Sequence, residues 1–501
     1  MEFEHMTPIN TVLIANRGEI AARIIRTCHR LGKRAVIVYH DADRDSLPVQ
    51  LADAAFRIDG PTPVAAYLSI DNILAACAAL GADAVHPGFG FLSENAEFAR
   101  RLDAAGVRFI GPGAGAIAAM GDKIESKRLA QKAGVNTIPG FDGEIVDADQ
   151  AYEVAREIGL PVIIKASAGG GGKGMRVIHD ADKGACHAAF ERTRAEALAA
   201  FGDARVFIEK YIERPRHIEI QILADQHGNV VHLGERECSI QRRHQKIIEE
   251  APSSFVDDRL REEMGSQAVA LAEAVGYASA GTVEFVVDAK GGFYFLEMNT
   301  RIQVEHPVTE MITGLDLVAE QIRVAEGEAL GYGQADIKLN GHAIECRLCA
   351  EDSARDFMPA TGRLECFDSP DMDGFRLDSG VREGDTIGSS FDSMLAKLIV
   401  HGATRAEAIA KMRAVLEEMA VLGVTTNATY LGRVLAHDAF VAGDTTTSFL
   451  EEHKAALEDL VPTPEQIAVV LSAALLTNRT LADVRFTPPA IYAAMGAWSN
   501  Q

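Results

Sequence analysis

The chain has 501 residues, 48% hydrophobic and 24% charged, a globular balance that excludes a disordered or fibrous protein. Acidic residues outnumber basic ones 72 to 49, for a formal charge of −23. A nucleic-acid or anionic-membrane role is thereby excluded, and only a local basic pocket stays open. Length alone suggests about three domains. No apolar run reaches the roughly 20 residues of a membrane span. The longest, residues 467–476, reads as a buried helix. The acidic start has no apolar core and is neither signal nor transit peptide, with Met6 a candidate natural start. Seven scattered cysteines give no disulfide framework, and Cys346 and Cys349, though spaced as CxxC, read as two side chains of one strand. A reduced, soluble, cytoplasmic protein is expected.

In chain order, residues 11–15 form an apolar strand. Residues 17–32 place Ile20, Ile24, Cys28 and Leu31 at helical spacing before the stop at Gly32. Strands over 34–39, 82–86 and 107–110 alternate with helices over 71–80 and 94–105, which means βαβ units and a mainly parallel sheet. Gly111-Pro-Gly-Ala-Gly115 interrupts the pattern as a linker. Residues 140–212 then hold a helix over 149–158, strands over 161–166, 175–179 and 205–211, and a long alanine-rich helix. A strand-rich segment runs to about 341, a mixed α/β region to about 457, and a helical tail closes the chain.

Three groups of residues carry chemistry. Ser167-Ala-Gly-Gly-Gly-Gly-Lys-Gly174 contains GxGxxG, but a strand follows it, so it is no dinucleotide fingerprint. A glycine hairpin can still lay backbone N–H groups over phosphates, and Lys165 points a cation at the same place. Next, strands over 282–287 and 293–298 flank Asp288-Ala-Lys-Gly-Gly292, and a register centred there sets Glu284 opposite Glu297. Opposed like charges need compensation, and Mg²⁺ with substrate phosphates supplies it. Glu297, Asn299, Arg301, Gln303 and Glu305 continue with period two, so an extended chain projects all five from one face as an active-site floor. Last come Arg216-His217-Ile-Glu-Ile-Gln221 and Gln241-Arg-Arg-His-Gln-Lys246, the second a basic run inside an acidic protein, suited to small anions.

Together with Ile14-Ala-Asn-Arg-Gly-Glu-Ile20, His86-Pro-Gly-Phe-Gly-Phe-Leu-Ser-Glu-Asn95, Met120-Gly-Asp-Lys123, Ile163-Ile-Lys-Ala-Ser167 and Phe391-Asp-Ser-Met394, these motifs resemble biotin carboxylase. That family lies in the ATP-grasp superfamily, and Glu297-Met-Asn-Thr-Arg-Ile-Gln-Val-Glu-His-Pro307 is the most specific string. The resemblance implies an α/β and α+β multidomain fold. A Rossmann-like domain (1–122) and a linker (123–139) would precede an ATP-grasp lid (140–212) and catalytic part (213–341). A mixed α/β C-terminal domain (342–457) and an unassigned helical tail (458–501) would follow.

The implied activity is ATP- and bicarbonate-dependent carboxylation of biotin on a carrier protein, through carboxyphosphate. ATP, Mg²⁺ (or Mn²⁺) and biotin are the implied cofactors. Lys123, Lys165, Gly171 and Gly172 would contact phosphates, and Glu209, Lys210, Tyr211 and Ile212 would read adenine. His217, Gln241 and His244 would lie near the nucleotide. Glu284, Glu297 and Asn299 would hold the metal. Lys246, Arg301, Gln303 and the Val304 backbone would bind bicarbonate, Glu305 would deprotonate it, and Arg347 would stabilise the biotin enolate. Ala168, Lys173 and Phe89 depart from the family pattern without removing a catalytic group. No Ala-Met-Lys-Met biotinylation motif is present, so the separate partners expected are a biotin carboxyl carrier protein and a carboxyltransferase. A homodimer is also expected. Acetyl-CoA carboxylase, with its role in fatty acid biosynthesis, is the first expected parent enzyme. Propionyl-CoA or pyruvate carboxylase are the alternatives. A carboxylate–amine ATP-grasp ligase would share the flap and acids but lack Arg301–Glu305 and Arg347, and a nucleotide-binding module would lack turnover.

Overall fold

The computed structural model describes residues 8–141, 143–167, 174–180, 182–458 and 463–477. Two compact units divide the chain, one ending at Leu457 and one beginning at Glu458.

Five parallel strands open the first unit: β1 (Thr11–Ile14), β2 (Arg34–Tyr39), β3 (Ala54–Arg57), β4 (Ala84–His86) and β5 (Arg108–Phe109), in the order β3-β2-β1-β4-β5. The central strands are apolar throughout because both faces are covered, Leu13, Val36 and Val85 packing on one side and Val12, Ile14 and Ile37 on the other. The expected linker at 111–115 is taken up by a helix beginning at Ala114, and Lys123–Lys132, capped by Asp122, is helical too.

Three antiparallel strands follow: β6 (Val162–Ala166), β7 (Met175–Ile178) and β8 (Val206–Lys210), with β6 in the middle. Lys165 pairs with Met175, so the glycine-rich segment does join two adjacent strands. Its residues 168–173, with Gly171, Gly172 and the departures Ala168 and Lys173, lie outside the described residues.

The largest sheet has eight antiparallel strands. They are β9 (Arg216–Ala224), β10 (Val230–Arg242), β11 (Gln245–Ala251), β12 (Ser279–Val287), β13 (Phe293–Asn299), β14 (His342–Cys349), β15 (Phe375–Ser379) and β16 (Met394–Gly402). Their order is β13-β12-β9-β10-β11-β14-β16-β15. Cys346 and Cys349 both sit in β14, and all seven cysteines are unpaired. In the β12–β13 hairpin Phe285 pairs with Phe295 but Glu284 with Glu297, so Leu296 is an extra, bulged residue. A regular ladder would put Leu296 opposite Glu284, and the bulge restores the expected acid pair.

The second unit differs from expectation. Pro464–Thr477 is a helix, but residues 463–474 are exposed, including Ile467, Val469, Val470 and Leu471. Apolar composition set the expectation of burial, and within its own unit this helix finds no cover among the described residues. No helix among the described residues is long and apolar enough to cross a membrane.

Candidate active site

The site is built on one face of the eight-stranded sheet, where charged side chains from several strands converge. Lys246, at the start of β11, lies 3.0 Å from Glu284 and 2.6 Å from Glu305, and also pairs with Glu219 of β9. Burial opposes its charge, but these three carboxylates outweigh it and hold its pKa well above the ordinary lysine value. Glu284 accepts from Asn299 Nδ2 at 2.9 Å and Gln303 Nε2 at 2.7 Å. His217 Nε2 lies 2.9 Å from its other oxygen. Gln241 Nε2 sits 2.7 Å from His217 Nδ1, which leaves Nε2 as the ring nitrogen that faces the acid. Despite burial, Lys246 and His217 keep the Glu284 carboxyl far below its usual range.

Glu305 is the residue just before the helix His306–Thr313, 2% exposed, with Lys246 at one oxygen and Arg347 Nη2 3.0 Å from the other. Burial pushes its pKa up, yet Lys246, Arg347 and Arg236 overcome that and hold it ionised far below the usual carboxylate range. Arg347, on β14, also donates from Nε to Glu249 of β11 at 2.7 Å. The row from Glu297 to Glu305 is not one extended face. β13 ends at Asn299, and residues 300–304 turn toward the next helix. Thr300 N bonds Glu94 Oε1 at 3.1 Å, and Arg301 Nε bonds Glu94 Oε2 at the same distance, which fastens the turn. Arg301 Nη2 also donates to Asn299 Oδ1 at 2.9 Å. The five side chains therefore converge by a turn, not by strand alternation.

Around this knot lie the other expected residues. Lys123, the first residue of its helix, pairs with Glu297 at 2.7 Å, the compensation that the opposed acids require. Lys165 lies 2.9 Å from Glu209, whose other oxygen is 3.0 Å from Lys127. Burial raises the Glu209 pKa, but the two lysines win and lower it. The Glu209 side chain thus serves cations, and the backbone of its strand is paired with β6 on one edge and with residues 139–145 on the other. Lys210 is turned to the Gly159 and Leu160 carbonyls, at 2.9 and 2.7 Å, and does not join the knot. Tyr211 and Ile212 continue past the end of β8, with Tyr211 N bonded to Pro161 O at 3.0 Å. His244 stands exposed at the β10–β11 turn with φ of +66°, outside the knot.

Three residues central to the geometry escaped sequence reasoning. Arg236 is 0% exposed. It binds Gln221, Thr309, Thr282 and Gln303 at 2.7, 2.9, 3.1 and 2.6 Å, and Glu219 as well. Glu219 and Glu249 are the others: Glu219 meets Arg236 of β10 and Lys246 of β11, and Glu249 meets Arg347 of β14, a strand far away in sequence. The one available signal for Glu219 was its place two residues after His217, on the same face of a strand.

The chemistry of this face is that of an anion-handling site. Fixed cations (Lys123, Lys165, Lys246, Arg301, Arg347) stand beside carboxylates, of which Glu209, Glu284 and Glu305 are held ionised, and the all-oxygen set Glu284, Glu297 and Asn299 suits Mg²⁺. Comparison with known proteins agrees. Residues 8–117 match the biotin carboxylase N-terminal domain profile, 122–332 the carbamoyl-phosphate synthase L chain ATP-binding domain, and 345–452 the biotin carboxylase C-terminal domain. The chain is 51% identical to the propionyl-CoA carboxylase alpha chain of Ruegeria pomeroyi, over 95% of this chain and 73% of that one. It is 49% identical to a pyruvate carboxylase chain of Methanothermobacter thermautotrophicus, over 98% of both. It spans 61% of the human mitochondrial propionyl-CoA carboxylase alpha chain, at 55% identity over 88% of its own length. Among solved structures, the biotin carboxylase domain dimer of Hydrogenobacter thermophilus 2-oxoglutarate carboxylase, in complex with MgADP, ADP and bicarbonate, superposes with a TM-score of 0.88. Identity there is 46%, over 91% of this chain and 100% of that one. Three profiles in order and relatives at about half identity over nearly the whole length leave one conclusion: the chain belongs to the biotin carboxylase family, ATP-dependent ligases of the ATP-grasp superfamily.

Proposed function

We propose that this chain uses ATP and bicarbonate to carboxylate biotin held on a carrier protein, the first half-reaction of a biotin-dependent carboxylase. The observation that carries this reading is Glu305, a buried carboxylate kept ionised between Lys246 and Arg347. An ionised, positioned carboxylate takes the proton of bicarbonate, and Lys246 with Arg301 holds the anion. The oxygen freed of its proton attacks the γ-phosphoryl group, giving carboxyphosphate and ADP. Lys123 and Lys165 meet the charge that develops on the phosphates. Carboxyphosphate breaks down to CO₂ and phosphate, the phosphate takes the proton of the biotin ureido nitrogen, and that nitrogen attacks CO₂ to form the new N–C bond while Arg347 faces the ureido oxygen. Glu284, Glu297 and Asn299 would hold Mg²⁺ or Mn²⁺, which neutralises phosphate charge when bound.

The domain bounds proposed are those of the sequence reading. For the parent enzyme the comparisons redirect the expectation: the relatives named above are propionyl-CoA and pyruvate carboxylases, which favours those acceptors over acetyl-CoA and a role in fatty acid biosynthesis. The proposed partners are a biotin carboxyl carrier protein, a carboxyltransferase and a second copy of this chain. The seven unpaired cysteines support a reducing compartment, the cytoplasm in this reading. The test is phosphate release from ATP as a function of bicarbonate and free biotin, followed by transfer of labelled carboxyl from the co-purified carrier to propionyl-CoA, pyruvate or acetyl-CoA. Phosphate release indifferent to both bicarbonate and biotin would refute it.

A further inference from the structure

Arg347 of β14 and Lys397 of β16 are directly opposed, and Asp378 of β15 is opposed to Lys397 on the other side. Two cations facing each other across a ladder repel unless each is drawn elsewhere. Here they are drawn to consecutive residues. Arg347 takes the Glu305 carboxylate at 3.0 Å, and Lys397 Nζ donates to the Val304 carbonyl at 2.8 Å. Lys397 is 0% exposed, and lysine is almost never fully buried unless it is paired. Glu19, from the helix Gly18–Arg30, lies 3.1 Å from its ammonium and Asp378 3.8 Å. Acids from two separate elements thus keep a cation in the interior, and the backbone group it holds is the carbonyl before the proposed base. The helix that follows Glu305 is fastened further along, where Glu310 takes Arg23 at 2.9 Å and Arg376 at 2.7 Å. Lys397 fastens its beginning.

We propose that Lys397 is a positioning residue for bicarbonate activation: by holding the Val304 carbonyl it fixes the peptide that sets both the Val304 backbone and the aim of the Glu305 carboxylate. This rests on the reading of Glu305 as the base. Arg347 and Lys397 then divide the work, one orienting the side chain and the other the main chain.

Lys397→Met keeps length and burial but removes the charge. Because it strands Glu19, the companion Lys397→Met/Glu19→Gln separates folding from function. With free biotin as acceptor, kcat/KM for bicarbonate should fall about 10–10²-fold in both variants, the cost of a small misplacement, while KM for ATP is unchanged. Amide exchange over residues 302–306 should quicken at the same time. A double variant that melts like the parent and keeps its kcat/KM for bicarbonate overturns the proposal. So does an equal loss toward ATP and bicarbonate, or failure of both variants to fold, since each would make Lys397 merely structural. If the parent's ATP hydrolysis ignores bicarbonate, the reading of Glu305 fails and the catalytic purpose of Lys397 with it. Faster exchange over 302–306 in the variants would then show that the anchor itself is real.

Discussion

In the five-stranded sheet, Leu13, Val36 and Val85 are buried on one face and Val12, Ile14 and Ile37 on the other. In the eight-stranded sheet Glu219, Arg236, Glu249 and Lys397 are buried just as completely, at 0% exposure. Burial does opposite work in the two. Apolar side chains leaving water stabilise the first sheet. Charges leaving water cost stability, and in the second sheet pairing offsets that cost without turning it into a gain. What the second sheet obtains is a set of charges whose positions are fixed before substrate arrives, the arrangement that lowers a barrier instead of a fold's free energy.

The comparison breaks if charge and apolar substitutions act alike. Glu305→Gln keeps shape and hydrogen bonding and should lower bicarbonate-dependent ATP hydrolysis by about 10²–10⁴. Calorimetry should find it folded and cooperative. Leu13→Ala, in the other sheet, should cost about 2–5 kcal/mol of stability by urea titration, with kcat unchanged at a temperature where it stays folded. Arg347→Ala should cost about 3 kcal/mol of transition-state stabilisation in biotin carboxylation. Much of its bicarbonate-dependent ATP hydrolysis should survive, read as carboxybiotin formed per ATP consumed. A wild-type ratio and rate would make Arg347 structural and move the enolate contact elsewhere.

The smallest effect concerns pH. Burial raises the Glu237 carboxyl from 4.5 to about 7, against the pull of Arg216. The native state therefore binds the extra proton between those values. The stability this brings is full below about 4.5 and is lost as pH rises through about 7. Glu237→Gln removes that slope, so its melting temperature should fall less than the parent's between about pH 5 and 7, by about 1 °C for each kcal/mol involved in a unit of this size. Leu13→Ala should shift the whole curve without changing its slope. An unchanged slope in Glu237→Gln would place the titration on other buried carboxyls.

What could be read from the sequence follows from how local each relation is. The parallel βαβ units follow from short-range periodicity and are present, whereas the Glu284–Glu297 pair is present only because the bulge at Leu296 shifts its hairpin ladder by one residue. The row beyond Asn299 misled because period two holds only while the chain stays extended, and a turn tied to Glu94 intervenes. Arg236, Glu249 and Lys397 gave no signal, because each acquires its partners from strand order, and strand order is a property of the whole sheet. The exposed helix Pro464–Thr477 shows the converse: apolar composition says that a surface wants cover, not whether its own unit supplies it.

The β11–β14 ladder, in which Ile248 pairs with Cys346 and Glu249 with Glu345, joins two stretches of chain that match separate family profiles, 122–332 and 345–452. The boundary drawn by sequence kinship therefore runs through the middle of one sheet. Shuffling at that boundary would exchange half a sheet, parting Arg347 from Glu249 and Glu305 and Lys397 from the Val304 carbonyl. In this chain the two stretches share one charge pattern, and a chimera that borrows only one of them breaks it.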